Sequence, residues 1–296
     1  MTFRRLIYGL LLFLQTALIL TGGAVRLTGS GLGCPTWPEC TPGSYTPVPN
    51  QAEGPLHAWI EFGNRLLTFG LVAVSLFVLA HVLITRRRDL RLLAVGQLLG
   101  ILGQGVLGGI TVLTDLHPLP VAGHLLLSII LVAGAVSLYD RCEYPVVKKI
   151  VQDSLNSVLS RAHISLTFFV IVLGTLVTGS GPHAGDEQAR RFGFDIRTVA
   201  WIHADVVIAL LGLTLALYIA LRSSVIVKRK IAIFAIIALA QGLIGYIQYF
   251  TGIPEILVAA HLLGASLVWI AAWRIRLAII TTKSNTTQMK TGEIKQ

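Results

Sequence analysis

Residues 66–84 read Leu66-Leu-Thr-Phe-Gly-Leu-Val-Ala-Val-Ser-Leu-Phe-Val-Leu-Ala-His81-Val-Leu-Ile84. No Asp, Glu, Lys or Arg interrupts the stretch. Its apolar residues would cover every side of a helix, the pattern of a membrane span rather than of a surface helix. Such a span needs about 20 mostly apolar residues, and the apolar run here reaches back to Ala58. Seven more runs of comparable length lie at about 6–27, 92–113, 121–139, 162–178, 199–221, 231–250 and 256–280. Strands of a membrane barrel would alternate apolar and polar residues, and these runs do not. The expected fold is an all-α integral membrane protein with eight transmembrane helices.

Composition points the same way. The 296 residues are 54% hydrophobic and 13% charged, against about 25% charged in soluble proteins. That excludes disordered, collagen-like and ordinary cytosolic classes. The first run follows Arg4 and Arg5 as a signal peptide would, but it is too long for one and ends at Arg26 without a small-x-small cleavage site. It reads as a retained first helix.

The 24 Lys and Arg outnumber the 14 Asp and Glu, for a net charge of +10. In a soluble protein that surplus would suggest nucleic acid; here it indicates topology. With the N-terminus cytoplasmic, nineteen of the 24 fall on the inner side, among them Arg86, Arg87, Arg88, Lys148, Lys149 and Arg222. Only Arg26, Arg65, Arg190, Arg191 and Arg197 fall outside. The positive-inside rule then places both termini in the cytoplasm of a multi-pass cell-membrane protein, with lipid and not nucleic acid as its surroundings. The polar stretch 281–296 reads as a disordered cytoplasmic tail.

The chain repeats itself. Thr28-Gly-Ser-Gly31 recurs as Thr178-Gly-Ser-Gly181, and Ala58-Trp-Ile-Glu61 as Ala200-Trp-Ile-His203. Gln104-Gly-x-x-Gly108 before His124 recurs as Gln241-Gly-x-x-Gly245 before His261. Three matches in one order predict two pseudo-symmetric four-helix bundles, 1–150 and 151–280. Because four spans return the chain to its starting side, the pseudo-two-fold axis lies along the membrane normal.

Four of the eight histidines share a depth. His57, His124, His203 and His261 sit near the outer ends of the second, fourth, sixth and eighth helices. Ionisable residues inside a membrane are costly and are functional candidates by default. A lone histidine commonly makes only an interhelical hydrogen bond, but His203 and His261 lie on two different helices, as axial ligation of a heme between helices requires. Zinc would call for a tighter cluster, such as His-x-x-x-His on one helix, and that spacing does not occur. Glycines 105, 108, 109, 242 and 245 suit close helix approach, either for ordinary membrane packing or beside a cofactor.

The second helix opens His57-Ala-Trp-Ile-Glu61-Phe-Gly-Asn64-Arg65. At about 100° per residue, His57, Glu61 and Asn64 fall within roughly 60° of one another. Glu61 and Arg65 are spaced to form an ion pair; Glu61 also suits proton transfer beside a reactive centre. Cys34-Pro-Thr-Trp-Pro-Glu-Cys40 lies in the outer loop, where a disulfide persists. The pair reads either as a structural staple or as a redox couple able to exchange with an extracytoplasmic thiol-disulfide protein. Cys142, at an inner end, reads as an inert thiol.

Taken together, the Thr-Gly-Ser-Gly and cysteine loop, Glu61-Phe-Gly-Asn-Arg, the histidines of helices four, six and eight, and Gly181-Pro-His-Ala-Gly-Asp186 resemble the heme A synthase family, in its bacterial form with a cysteine pair in the first extracellular loop. The resemblance covers nearly all of residues 1–280. It implies a membrane oxidoreductase that oxidises a methyl group of heme O twice, through an alcohol and a hydrate, to the formyl group of heme A. It implies heme b in the C-terminal half, with His203 and His261 as axial ligands. It also implies heme O in the N-terminal half with His124 as a ligand, Glu61 as the catalytic carboxylate, Cys34–Cys40 as the loop disulfide, and heme O synthase as the donor of substrate. The family motif is Glu-x-x-His-Arg, and this chain has Asn64 at the histidine. Either His57 replaces that ligand or the substrate iron is bound through His124 alone; of these, His57 is favoured. Two other classes also fit paired histidines: a diheme b-type cytochrome relaying electrons from quinol, and a heme transporter.

Overall fold

A computed structural model describes residues 2–143, 154–221 and 225–292. Lys148, Lys149, Arg222 and Lys295 of the charge tally lie outside the described residues, as does the boundary at 150/151. Eight helices follow in order: α1 (Phe3–Leu27), α2 (Pro55–Ile84), α3 (Arg91–Leu113), α4 (Pro118–Arg141), α5 (Ser154–Ser180), α6 (Ile196–Ala220), α7 (Val225–Phe250) and α8 (Glu255–Gly292). Among the described residues no strand occurs, only an isolated bridge between Thr41 and Ser44. All eight helices are long and apolar enough to cross a membrane. The shortest, α3, has 23 residues, which rise about 34 Å at 1.5 Å each and span a hydrocarbon layer of about 30 Å.

Local chemistry sets the ends. Pro55 and Pro118 occupy first-turn positions where a missing N–H costs nothing. His117 Nδ1 accepts from the Leu119 N–H, so α4 begins before the apolar run at Val121. The Asp195 carboxylate caps α6 by accepting from the Thr198 N–H at 2.9 Å, and this hydrogen bonding holds its carboxyl below the usual aspartate range. At the far end α8 runs on to Gly292. No proline or glycine falls between Gly264 and Gly292, so a helix nucleated in the membrane propagates through polar sequence. Residues 293–296 lie outside the described residues.

The helices pack as two rings. In the first, α1 meets α2, α2 meets α3, α3 meets α4 and α4 returns to α1; α5 to α8 close in the same way. The rings join through α1, α4, α5 and α8. The first ring buries Leu11, Leu71, Val78, Ile101 and Leu138, and the second buries Leu210, Leu217, Ile231, Phe234 and Ile275. Ile129, Val132, Val136, Ile171 and Trp269 fill the seam. Two indoles fasten it: Trp269 Nε1 donates to the Ile129 carbonyl, and Trp273 Nε1 donates to Ser137 Oγ, each at 2.7 Å. α1 therefore packs on α2, α4 and α8 as a member of the bundle. Large apolar side chains such as Phe69, Leu92, Ile236 and Phe250 point outward, as a lipid-facing surface requires.

Candidate functional site

One end of the bundle carries the loops 28–54 and 181–195, and the chemistry-bearing residues gather there. The even-numbered helices all start at this end. Their second turns carry Glu61 on α2, His124 on α4, His203 on α6 and His261 on α8. Within each ring the even helices stand diagonally: among the described residues, α2 makes no backbone approach within 8 Å to α4, nor α6 to α8. Each ring thus presents two polar side chains from facing helices across an interval.

Glycines on the odd-numbered helices seat the imidazoles. A Cβ on Gly245 of α7 would come 3.2 Å from His261 Cε1, and one on Gly108 of α3 would come 3.1 Å from His124 Nε2. Gly174 of α5 lies against His203, with a Cβ position 3.5 Å from its Cε1. The repeated glutamines complete each seat: Gln104 Nε2 donates to the His124 carbonyl at 3.0 Å, and Gln241 Nε2 makes the equivalent bond to the His261 carbonyl. The Gln-Gly-x-x-Gly repeat therefore has one structural meaning in both halves.

Beyond these seats the halves differ. In the second, His203 Nδ1 and His261 Nδ1 are buried and lack hydrogen-bond partners among the described residues. The Val170 carbonyl lies beside His203 without closing a hydrogen bond. Buried polar atoms are normally satisfied, and these two ring nitrogens, each packed beside its glycine seat, are not. Among the described residues no three His, Cys, Asp or Glu side chains cluster to hold a metal ion, so a compact tetrahedral site is not formed. Two histidines on separated helices would suit a heme held between them.

In the first half the side chains of α2 that share a face are partnered. Glu61, 6% exposed, accepts from Arg65 Nη2 at 2.6 Å through Oε1 and from the Cys34 N–H at 2.6 Å through Oε2. Arg65 reaches on to the carbonyls of Cys34, Thr36 and Glu39 at 2.9, 3.2 and 3.2 Å. The loop segment 34–40 is thus laced onto α2 around one carboxylate. Cys34 and Cys40 form a disulfide, and both are fully buried. Trp37, at the tip of that loop, lies over Gly109 of α3, where a Cβ would collide with the indole.

His57 sits one turn nearer the loop end, and its Nδ1 is 3.0 Å from Ser30 Oγ, which in turn is 2.8 Å from Thr28 Oγ1. Asn64 sits one turn deeper, and its Oδ1 accepts from Thr21 Oγ1 of α1 at 2.7 Å. The face shared by His57, Glu61 and Asn64 therefore divides among three partners: the Thr28–Ser30 loop, the cysteine loop and α1. Cys142 is buried and unpaired with another cysteine; burial pushes its thiol up, away from the reactive thiolate.

Sequence reasoning missed two groups. Thr28 and Ser30 figured only as a repeat, yet they hold the His57 ring. Arg26 figured only as an outer charge, yet its Nη2 donates to the Thr178 carbonyl at 2.8 Å and its Nε to the His183 carbonyl. The Gly31 N–H donates to the Gly185 carbonyl at 2.9 Å, and His183 Nε2 approaches the Ile253 carbonyl at 2.8 Å. The Gly-Pro-His-Ala-Gly-Asp motif is thus the clasp joining the loop ends of the two rings. Its place beside Arg26, some 150 residues away in sequence, left no local signal.

Residues 5–273 match the family model described as cytochrome oxidase assembly protein, COX15-CtaA. The chain is similar to three curated proteins named heme A synthase. The one from Shewanella oneidensis is 31% identical over 173 residues, covering 54% of this chain and 51% of that protein. The one from Geobacillus thermodenitrificans is 31% identical over 115 residues, 38% of this chain and 33% of that protein. The one from Methylobacterium radiotolerans is 35% identical over 163 residues, 42% and 43% respectively. The matches span about half the length of these relatives or less.

Proposed function

This multi-pass membrane protein belongs to the cytochrome oxidase assembly protein (COX15-CtaA) family, and from that premise we propose that it is a heme A synthase. It takes heme O as substrate and oxidises one methyl group to a formyl group. The observation that carries the reading is the asymmetry between corresponding turns: on the diagonal helices of the second ring two histidines each have an unpartnered Nδ1, and in the first ring the same turns carry a histidine and a buried carboxylate.

The second half, 151–280, would hold heme b through His203 and His261, whose Nδ1 atoms make no hydrogen bond among the described residues. When bound, that heme supplies one-electron transfer. Gly174 and Gly245 set the ring positions by leaving no side chain behind them. The first half, 1–150, binds heme O through His124. His57 is the proposed second ligand: Ser30 Oγ engages its Nδ1, which leaves Nε2 as the ring's donor atom. Asn64 is engaged by Thr21 and is a poor iron ligand; it borders the substrate instead.

Glu61 is the catalytic carboxylate. Arg65 and the Cys34 N–H hold its two oxygens in separate directions, so it meets the reacting methyl group in a fixed orientation. There it receives the proton released as the methyl carbon is oxidised, or stabilises positive charge on that carbon. Each oxidation adds the oxygen of one water and passes two electrons to an external electron acceptor with release of two protons, giving an alcohol and then a hydrate; loss of water from the hydrate leaves the aldehyde. The Cys34–Cys40 disulfide braces the loop that orients Glu61, and its burial supports a staple rather than exchange with a thiol partner in the resting state.

The charge asymmetry supports cytoplasmic termini and an outer-facing active end. Heme O synthase is the proposed donor of substrate. The test is expression with a heme O supply, followed by extraction of the bound porphyrins. Heme bearing a formyl group is expected; heme O alone from otherwise active cells would overturn the assignment.

A further inference from the structure

At the end of the bundle opposite the histidines, the seam between the rings opens into a cavity of about 360 Å³. It lies where the start of α1, the end of α4, the start of α7 and the eighth helix converge. Four cations line it: Arg5, Arg141, Lys230 and Arg274. Two carboxylates answer them loosely. Arg5 Nε is 3.4 Å from Glu143, and Arg274 Nε is 3.5 Å from Asp140. Among the described residues Arg141 and Lys230 make no ion pair, so the cavity holds a surplus of positive charge. Leu277 and Ala278 of α8 form one wall, so the cationic cup has an apolar side.

This depth is the membrane interface. Lys230 lies in the first turns of α7 and Arg141 ends α4, beside the hydrocarbon-length segments of the same helices. Cations gathered here meet anionic headgroups rather than bulk water, and basic pockets between transmembrane helices take lipid phosphates. A phosphodiester supplies the missing negative charge and accepts from several guanidinium and ammonium groups at once. An inorganic phosphate offers the same oxygens, but at this depth the anionic groups at hand are those of lipid headgroups.

We propose that this cavity binds the phosphate of an anionic phospholipid, held at the junction of the two rings. The lipid bridges α1 and α4 of one ring to α7 and α8 of the other, at the face where the loop-end clasp of Arg26 is absent. The site involves none of the residues assigned to heme chemistry, so its test is separate from that of the enzymatic reading.

The purified full-length chain is titrated by native mass spectrometry with phosphatidylglycerol and with phosphatidylcholine of the same acyl chains. One phosphatidylglycerol is expected to be retained preferentially. Each basic side chain near an anionic lipid surface is worth a factor of about five, so R141Q/K230Q weakens retention about 25-fold. R141K/K230R should keep it, which separates lost charge from lost folding. R86Q/R88Q removes the same charge from exposed positions and should leave it unchanged. Equal retention of the two lipids, or an unaffected R141Q/K230Q variant, overturns the proposal. Displacement of phosphatidylglycerol by millimolar inorganic phosphate overturns the lipid as its source and assigns the site to free phosphate.

Discussion

The two rings use one frame for different ends. On the second turns of their even helices, the second ring carries His203 and His261, and the first carries Glu61 and His124. The glycine and glutamine seats behind His124 and His261 correspond. What changes is the opposing helix, where a histidine with a buried, unpartnered ring nitrogen gives way to a carboxylate tied to Arg65 and Cys34. On the proposed reading, a bundle that would hold a cofactor by two histidines becomes one that would present a carboxylate to its substrate when one position changes and a loop closes over it. The loops differ accordingly. The first connects its helices through the disulfide-braced segment 34–40, whereas 181–195 carries the His183 carbonyl that accepts from Arg26.

The largest expected effects lie where the comparison is sharpest. His203→Ala or His261→Ala removes an axial donor, and the low-spin b-heme absorption should vanish. If it survives both changes, the second ring is not the cofactor site. Glu61→Gln keeps the size of the side chain and removes its capacity to take a proton. Formation of the formyl group should fall by about 10²- to 10⁴-fold, while the b-heme spectrum persists. A chain that merely relays electrons would lose little turnover, so this variant also separates the enzyme from a diheme cytochrome.

Smaller effects test the supports. Ser30→Ala releases the His57 ring, and loss of such an outer hydrogen bond costs about 10- to 100-fold in metal affinity or activity. The loss should appear in heme O retention and not in the b-heme spectrum. His57→Ala should do at least as much, whereas Asn64→Ala should do less. Arg26→Gln leaves two carbonyls of the clasp without their donor, and a lost hydrogen bond to a charged group costs about 1.5–3 kcal/mol. A lower unfolding temperature with an unchanged heme complement is expected.

How much of this could be read in advance follows from where each partner lies. The spans were legible because the membrane demands long apolar runs; residues 66–84 sufficed to name the solvent. The pairing of Glu61 with Arg65 was legible because helical geometry brings residues four apart together. The equivalence of Gln104 with Gln241 was visible as a repeated motif, though not that each would hold a histidine carbonyl. The Cys34 N–H on Glu61, Ser30 on His57 and Arg26 on Thr178 were invisible, because each joins elements whose approach only the assembled rings decide.

The central claim is that one ring keeps its heme and the other changes it. The direct measurement is identification of the porphyrins extracted from purified wild-type protein and from Glu61→Gln, made side by side with heme O supplied. The account predicts heme b with heme A in the wild type and heme b with unoxidised heme O in the variant. Heme A in the variant at the wild-type proportion, or no heme b in either preparation, would contradict it.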